Sequence, residues 1–157
     1  MTIRFGVNSD VPEMVKLSEV ARIEDARHEP LLWRKAKDSA THQMNYYEQY
    51  IQQDHSIVMV SQGANGINGF AITILQVPPP IYDLPGYTCL INDFHVSDDK
   101  LWESIGRELL VASIEDAKKQ GAVQAVVVNH SHNRAKEQLL HSMGLGVASA
   151  WYTKSLK

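Results

Sequence analysis

The sequence predicts a single α/β (α+β) domain over residues 1–157, with a mixed, mostly antiparallel central sheet of six to seven strands and helices on both faces. Three observations point to it. Short strand-like segments are interleaved with amphipathic, helix-like stretches along the whole chain. The segment Asp93–Leu110, DFHVSDDKLWESIGRELL, runs an apolar strand into a helix start. Val123–Val128 is a nearly continuous apolar run, as expected of a strand buried on both faces. At 157 residues the chain can remove roughly two-thirds of its unfolded surface from water, enough for a real core.

Ile3, Phe5 and Val7 alternate with polar residues as a first strand, and Ser9 or Asp10 caps a helix with Pro12 in its first turn that runs to about Arg27. A second helical region spans about Leu31 to Gln53, with a break near Asp38, and places Trp33, Ala36, Ala40, Met44, Tyr47 and Ile51 at three- and four-residue spacings as a core face. Ser56–Gln62 and Ile67–Val77 flank a Gly63-Ala64-Asn65-Gly66 turn and read as a β-hairpin, ended by Pro78-Pro79-Pro80. The strand Tyr87–Val96 precedes a helix over about Leu101 to Gln120, whose last turn carries Lys118 and Lys119 before Gly121. Asn133–Met143 reads as a helix ended by Gly144, and Leu145–Leu156 as a last strand closing the sheet.

A formal charge of −3 argues against nucleic-acid or polybasic membrane-surface binding, which need clustered Lys and Arg. The apolar runs are too short to span a bilayer, and the opening MTIRFGVNSD has no apolar leader core. Cys89 is the single cysteine, which excludes an internal disulfide and fits a reducing compartment. These features lead us to expect a cytoplasmic protein with small-molecule partners. The helix start at Trp102–Arg107 is an anion site in outline: its first N–H groups lack intrahelical partners, the dipole is positive there, and Gly106 permits close approach.

The chain resembles the GCN5-related N-acetyltransferases, which move an acyl group from acetyl-CoA to an amine. Members typically show a strand ending in Val, then Arg or Gln five residues on, then x-x-Gly-x-Gly/Ala opening a helix. Here Val96 is followed at that distance by Leu101, then Trp102, Glu103, Ser104, Ile105 and Gly106. The family segment Asn-x-x-Ala-x-x-x-Tyr-x-x-x-Gly-Phe is similar to Asn133 through Leu145. The resemblance implies acetyl-CoA as cosubstrate and no metal. It implies that Phe94, His95 and Val96 offer backbone groups to the pantetheine arm, that Leu101, Trp102, Ser104, Ile105, Gly106 and Arg107 form the pyrophosphate cradle, and that Asn133 lies near the thioester.

Amine acetylation needs a base for the nucleophile and an acid for the leaving thiolate. The strand and helix positions that often carry Glu and Tyr in the resembling proteins are Asn92 and Leu140 here, and neither can carry a proton at neutral pH. Asn92 can orient a water. Strict alternation puts Asp93 and His95 on the face opposite Asn92 and Phe94. His130 and His132, in NHSHN after the buried strand, are further proton acceptors that titrate near neutrality. As a metal pair this His-x-His lacks a compelling third ligand nearby. Glu24, Asp25, Glu29 and Asp83 are acidic but interspersed with Arg27, Arg34 and Lys35. Two readings stay open: an N-acetyltransferase for a small or amino-acid-like primary amine, and a non-catalytic acyl-CoA-binding module. Trp151 and Tyr152 on the last segment fit a strand that pairs across a homodimer or covers an edge in a monomer.

Overall fold

The computed structural model describes residues 1–157. Five strands form one sheet in sequence order: β1 (Thr2–Phe5), β2 (Ser56–Gly63), β3 (Gly66–Gln76), β4 (Tyr87–Val96) and β5 (Ala122–Val127). The first four are antiparallel neighbours and β5 joins β4 in parallel. Four helices complete the fold: α1 (Val11–His28), α2 (Ser39–Gln52), α3 (Arg107–Lys119) and α4 (Arg134–Ser142).

Two cores explain the layering. Ile57, Met59, Ala71, Leu75, Cys89, Ile91 and Phe94 face α3 and α4 through Leu109, Leu110, Ala117, Leu139 and Leu140. Val58, Val60, Phe70 and Ile72, the alternate residues of β2 and β3, face α1 and α2 through Val11, Met14, Val15 and Tyr47. Helices therefore lie on both faces, as the sequence predicts. No helix is long and apolar enough to cross a membrane.

The sheet has five strands, not six to seven. Residues 145–157, expected to close it, take no regular structure, and Val147, Trp151, Tyr152 and Leu156 are exposed at 77%, 78%, 94% and 94%. Nothing within the chain hydrogen-bonds this segment to the outer edge of β5, so β5 is an edge strand with Val123 and Val126 partly exposed, and the expectation that it is buried on both faces is corrected. The second helix begins at Ser39, later than the spacing predicts; Trp33 and Ala36 lie in the preceding connection, and of the expected core face Tyr47 is fully buried while Met44 is exposed.

The entry to α1 is fixed by charge. Arg4 of β1 donates two bonds to the Asp10 carboxylate, at 2.7 and 2.9 Å, and Val7 N donates a third at 2.9 Å. The Arg4 guanidinium, opposed by burial, holds Asp10 below its ordinary range. A depressed folded-state value stabilises above the unfolded carboxylate value of about 4 and is lost as pH falls through the folded value. Asp10→Ala is therefore expected to cost about 1–2 kcal/mol in urea melts near pH 7, a discounted figure because Arg4 is partly exposed, and to flatten the fall in stability below about pH 4.

Candidate functional site

The site begins with an irregularity in β4. Ile72 pairs with Asp93 and Thr73 with Ile91, so Asn92 is an extra residue, a bulge. The bulge inverts the alternation: Cys89 and Ile91 before it and Phe94 after it all face the α3/α4 core. Asn92 and Asp93 consequently line one cavity of about 300 Å³ with Arg22, Gln43, Tyr46 and Tyr50, correcting the expectation that they point to opposite faces. At the same place β4 and β5 part. Their pairing ends at Ile91 and Val127, with a last bond from Val128 N to Ile91 O at 3.0 Å, and Asn92–Val96 have no partner in β5.

Into this opening reaches Lys136 of α4. Its Nζ donates to the Phe94 carbonyl at 3.3 Å and lies 5.0 Å from the Phe94 and 5.4 Å from the Trp102 ring centroid. Lys136 is 5% exposed. Burial outweighs the attraction of Asp93 and Asp25 and pulls its ammonium down to about 8. The sequence reading missed this residue, although the signal was present: Lys136 stands where the resembling segment has Ala. Asn133 caps α4, its Oδ1 accepting from Lys136 N at 3.0 Å, so that side chain is already committed to the helix start.

The expected cradle differs in form from a simple helix start. Asp98 Oδ1 accepts from Lys100 N at 2.8 Å, a 3-10 turn covers Asp99–Leu101, and a single π-helical turn covers Trp102–Gly106 before α3. Trp102, Ile105 and Gly106 are buried while Ser104 is exposed. A Cβ on Gly106 would lie 2.8 Å from Trp102 Cε3 and 3.1 Å from Leu139 Cδ2, so the glycine serves packing against the core rather than approach by a ligand. Leu101 is half-buried against the same core. Arg107 donates to Glu103 at 2.6 Å and to Ser142 at 2.7 Å. At this end of the opening Arg107 is thus paired with Glu103, and Lys100 is a neighbour in sequence of Asp98 and Asp99.

On the far side of the gap the two histidines of NHSHN meet α1. Asp25 Oδ1 lies 2.6 Å from His130 Nδ1 and 3.2 Å from His132 Nε2. His28 stacks on His132 at 4.4 Å and Trp33 on His130 at 4.6 Å. These partners come from residues 25 to 33, roughly a hundred positions away along the chain, which is why the sequence offers His130 and His132 as proton acceptors without showing what orients them. Burial, with the charges of His28 and His130, lowers the His132 pKa against the pull of Asp25, so the ring is a neutral acceptor at pH 7.

Asp93 and His95 form a second pair, Oδ1 to Nε2 at 3.6 Å, and Tyr47 OH donates to Asp93 at 3.2 Å. Burial would raise Asp93, but the His95 contact and the Tyr47 hydroxyl hold it low and ionised; burial holds His95 low and neutral. Val96 ends β4 half-buried against the core beside the cradle. Leu140 packs into the α3/α4 core and is 8% exposed. Cys89 is raised by burial to about 11, which leaves it an inert thiol.

No protein-family model matches this sequence, and no curated protein matches it. Solved structures match over essentially the whole chain. A point mutant of the BH1408 protein from Bacillus halodurans has a TM-score of 0.87 at 19% identity, covering 100% of both chains. A predicted acetyltransferase from Clostridium acetobutylicum, solved with acetyl-CoA, has a TM-score of 0.75 at 15% identity, covering 99% of this chain and 96% of that one. An aminoglycoside acetyltransferase, meta-AAC0020, from an uncultured soil metagenomic sample, solved with sisomicin, has a TM-score of 0.67 at 16% identity over 99% and 96%. A further neighbour, from Bacillus halodurans C-125, is named a transcriptional regulator, with a TM-score of 0.73 at 16% identity over 99% of both chains. The chain therefore shares its fold with these structures, two of them named acetyltransferases, as the motif resemblance leads us to expect.

Proposed function

We propose that this protein transfers the acetyl group of acetyl-CoA to a primary amine of a small-molecule or amino-acid-like substrate, by direct attack in a ternary complex. The observation that carries the reading is the opening of β4 from β5 at the Asn92 bulge. It leaves a strand edge with the Phe94 carbonyl held by a side-chain donor, between the turn that starts α3 and a histidine pair. Such an edge fits an amide-bearing arm, because an amide N–H can replace the Lys136 ammonium on Phe94 O while β4 continues to bond β3. Acetyl-CoA supplies the activated thioester.

The chain's own residues supply position and proton transfer. Phe94, His95 and Val96 present backbone groups along the open edge, and the Trp102–Arg107 turn with Lys100 meets the phosphate end. His132, through the ring nitrogen that does not donate to Asp25, takes the proton of the attacking ammonium, directly or through water, and the Nε2–H bond to Asp25 orients the ring. Asn92, exposed beside Asp93 on the cavity wall, orients the water or the amine. Positioning of this kind can itself supply several kcal/mol of the barrier. The test is release of free CoA thiol from acetyl-CoA over a panel of primary amines; release that depends on an amine supports transfer, and no release above buffer with any amine while acetyl-CoA binds favours the second reading.

That reading is a non-catalytic acyl-CoA-binding module. Leu101 at the position where the resembling proteins carry Arg or Gln, and the absence of proton carriers at Asn92 and Leu140, favour it.

The same proposal includes a homodimer as partner. Residues 145–157 carry Trp151 and Tyr152 bare to solvent, and the outer edge of β5 has unpaired backbone groups, which strand addition from a second copy would satisfy. Sedimentation is expected to give twice the 17.6 kDa chain mass, and truncation after Gly146 to give a monomer; a full-length monomer at micromolar concentration contradicts this.

A further inference from the structure

Lys136 is the one buried cation that the proton transfers above do not use. It sits on α4 one helical turn before Leu140, on the same face of the helix. Its only side-chain hydrogen bond is to a neutral backbone carbonyl. The charges that face it are Asp93 from β4 and Asp25 from α1, with His95 held neutral beside Asp93, and all of these act through space rather than by contact. A lysine held this way is costly to bury unless something in the opening uses its charge.

We propose that the Lys136 ammonium is the proton donor and charge partner for the sulfur of CoA in the β4–β5 opening. This rests on the acetyl-transfer reading and assigns it the acid that Leu140 cannot be. The amine nitrogen forms the C–N bond and releases its extra proton to water, the C–S bond breaks with its electron pair going to sulfur, and Nζ gives that sulfur a proton, which yields the amide, CoA thiol and a neutral Lys136 that takes a proton back from solvent. Burial tunes Lys136 to about 8, close to a thiol's ordinary value of about 8.5, the match that efficient proton transfer needs.

The test compares binding of CoA and desulfo-CoA to the full-length protein by calorimetry between pH 7 and about pH 9, and needs no acceptor amine. A nearby cation lowers the bound thiol's pKa by about one unit, but Lys136 itself loses its charge above about 8, so wild-type protein is expected to bind CoA about twofold more tightly than desulfo-CoA near pH 8, where ammonium and thiolate coexist, with the preference shrinking toward pH 9. Lys136→Met should bind both alike, and Lys136→Arg should keep the preference. Equal binding of the two ligands by wild type, or a preference retained in Lys136→Met, overturns the assignment. Should Lys136→Met not fold, the ultraviolet thiolate titration of CoA bound to wild type decides it: a lowered thiol pKa supports the proposal and an unshifted or raised one overturns it. Failure of both ligands to bind removes the acyl-CoA reading itself, a result distinct from binding without discrimination.

Discussion

Replacing His132 by Ala is expected to lower kcat by about 10²–10⁴-fold, the usual contribution of a positioned base, while leaving acetyl-CoA binding unchanged. His132 is a neutral acceptor because burial depresses its pKa. In wild type, kcat/KM should fall as pH drops through that lowered value, below the ordinary histidine pKa of about 6.5, because the ring is then protonated and cannot accept. His132→Ala should lose this acidic limb. Asp25→Asn gives a sharper check, since the Asp25 charge raises the His132 pKa and its removal should move the limb to lower pH. A limb that stays in place in both variants means that another group takes the proton.

The second large effect concerns stability. Gly106→Ala is expected to destabilise the fold by about 1–3 kcal/mol, because the new methyl would lie 2.8 Å from a Trp102 ring carbon and 3.1 Å from Leu139. For a chain of this size that lowers Tm by about 2–4 °C per kcal/mol. The ring cannot step aside cheaply: Trp102 is 3% exposed and wedged edge-on against Phe94 at 4.9 Å. Because Trp102 and Phe94 also border Lys136, the same variant should weaken CoA binding indirectly, and substitution at Gly106 cannot serve as a clean probe of phosphate contact. A thermal melt of Gly106→Ala indistinguishable from wild type contradicts the packing role.

Much of the scaffold was legible because its signals are local. The β-hairpin reads from its Gly63–Gly66 turn and apolar flanks, α1 from Pro12, α4 from Asn133 and Gly144, and helices lie on both faces as the element order predicts. The site is harder to read because it depends on two non-local events. The bulge at Asn92 adds one residue to β4, and this places Asn92 and Asp93 on one wall and returns Phe94 to the core; a period-two pattern cannot register it. The contact of Asp25 with His130 and His132 joins α1 to the loop after β5, and neither segment carries a mark of the other. Residues 145–157 have strand-like composition but no partner within the chain, and composition does not say with what a strand will pair.

Calorimetric titration of the purified protein with acetyl-CoA, with ADP as the comparison ligand, tests most directly whether the β4–β5 opening is an acyl-CoA site. Micromolar binding of acetyl-CoA, clearly tighter than that of ADP because the arm adds its contacts along Asn92–Val96, is the expected result. No binding of acetyl-CoA at any temperature, or binding no tighter than ADP, would contradict it and leave the opening without an acyl-CoA role.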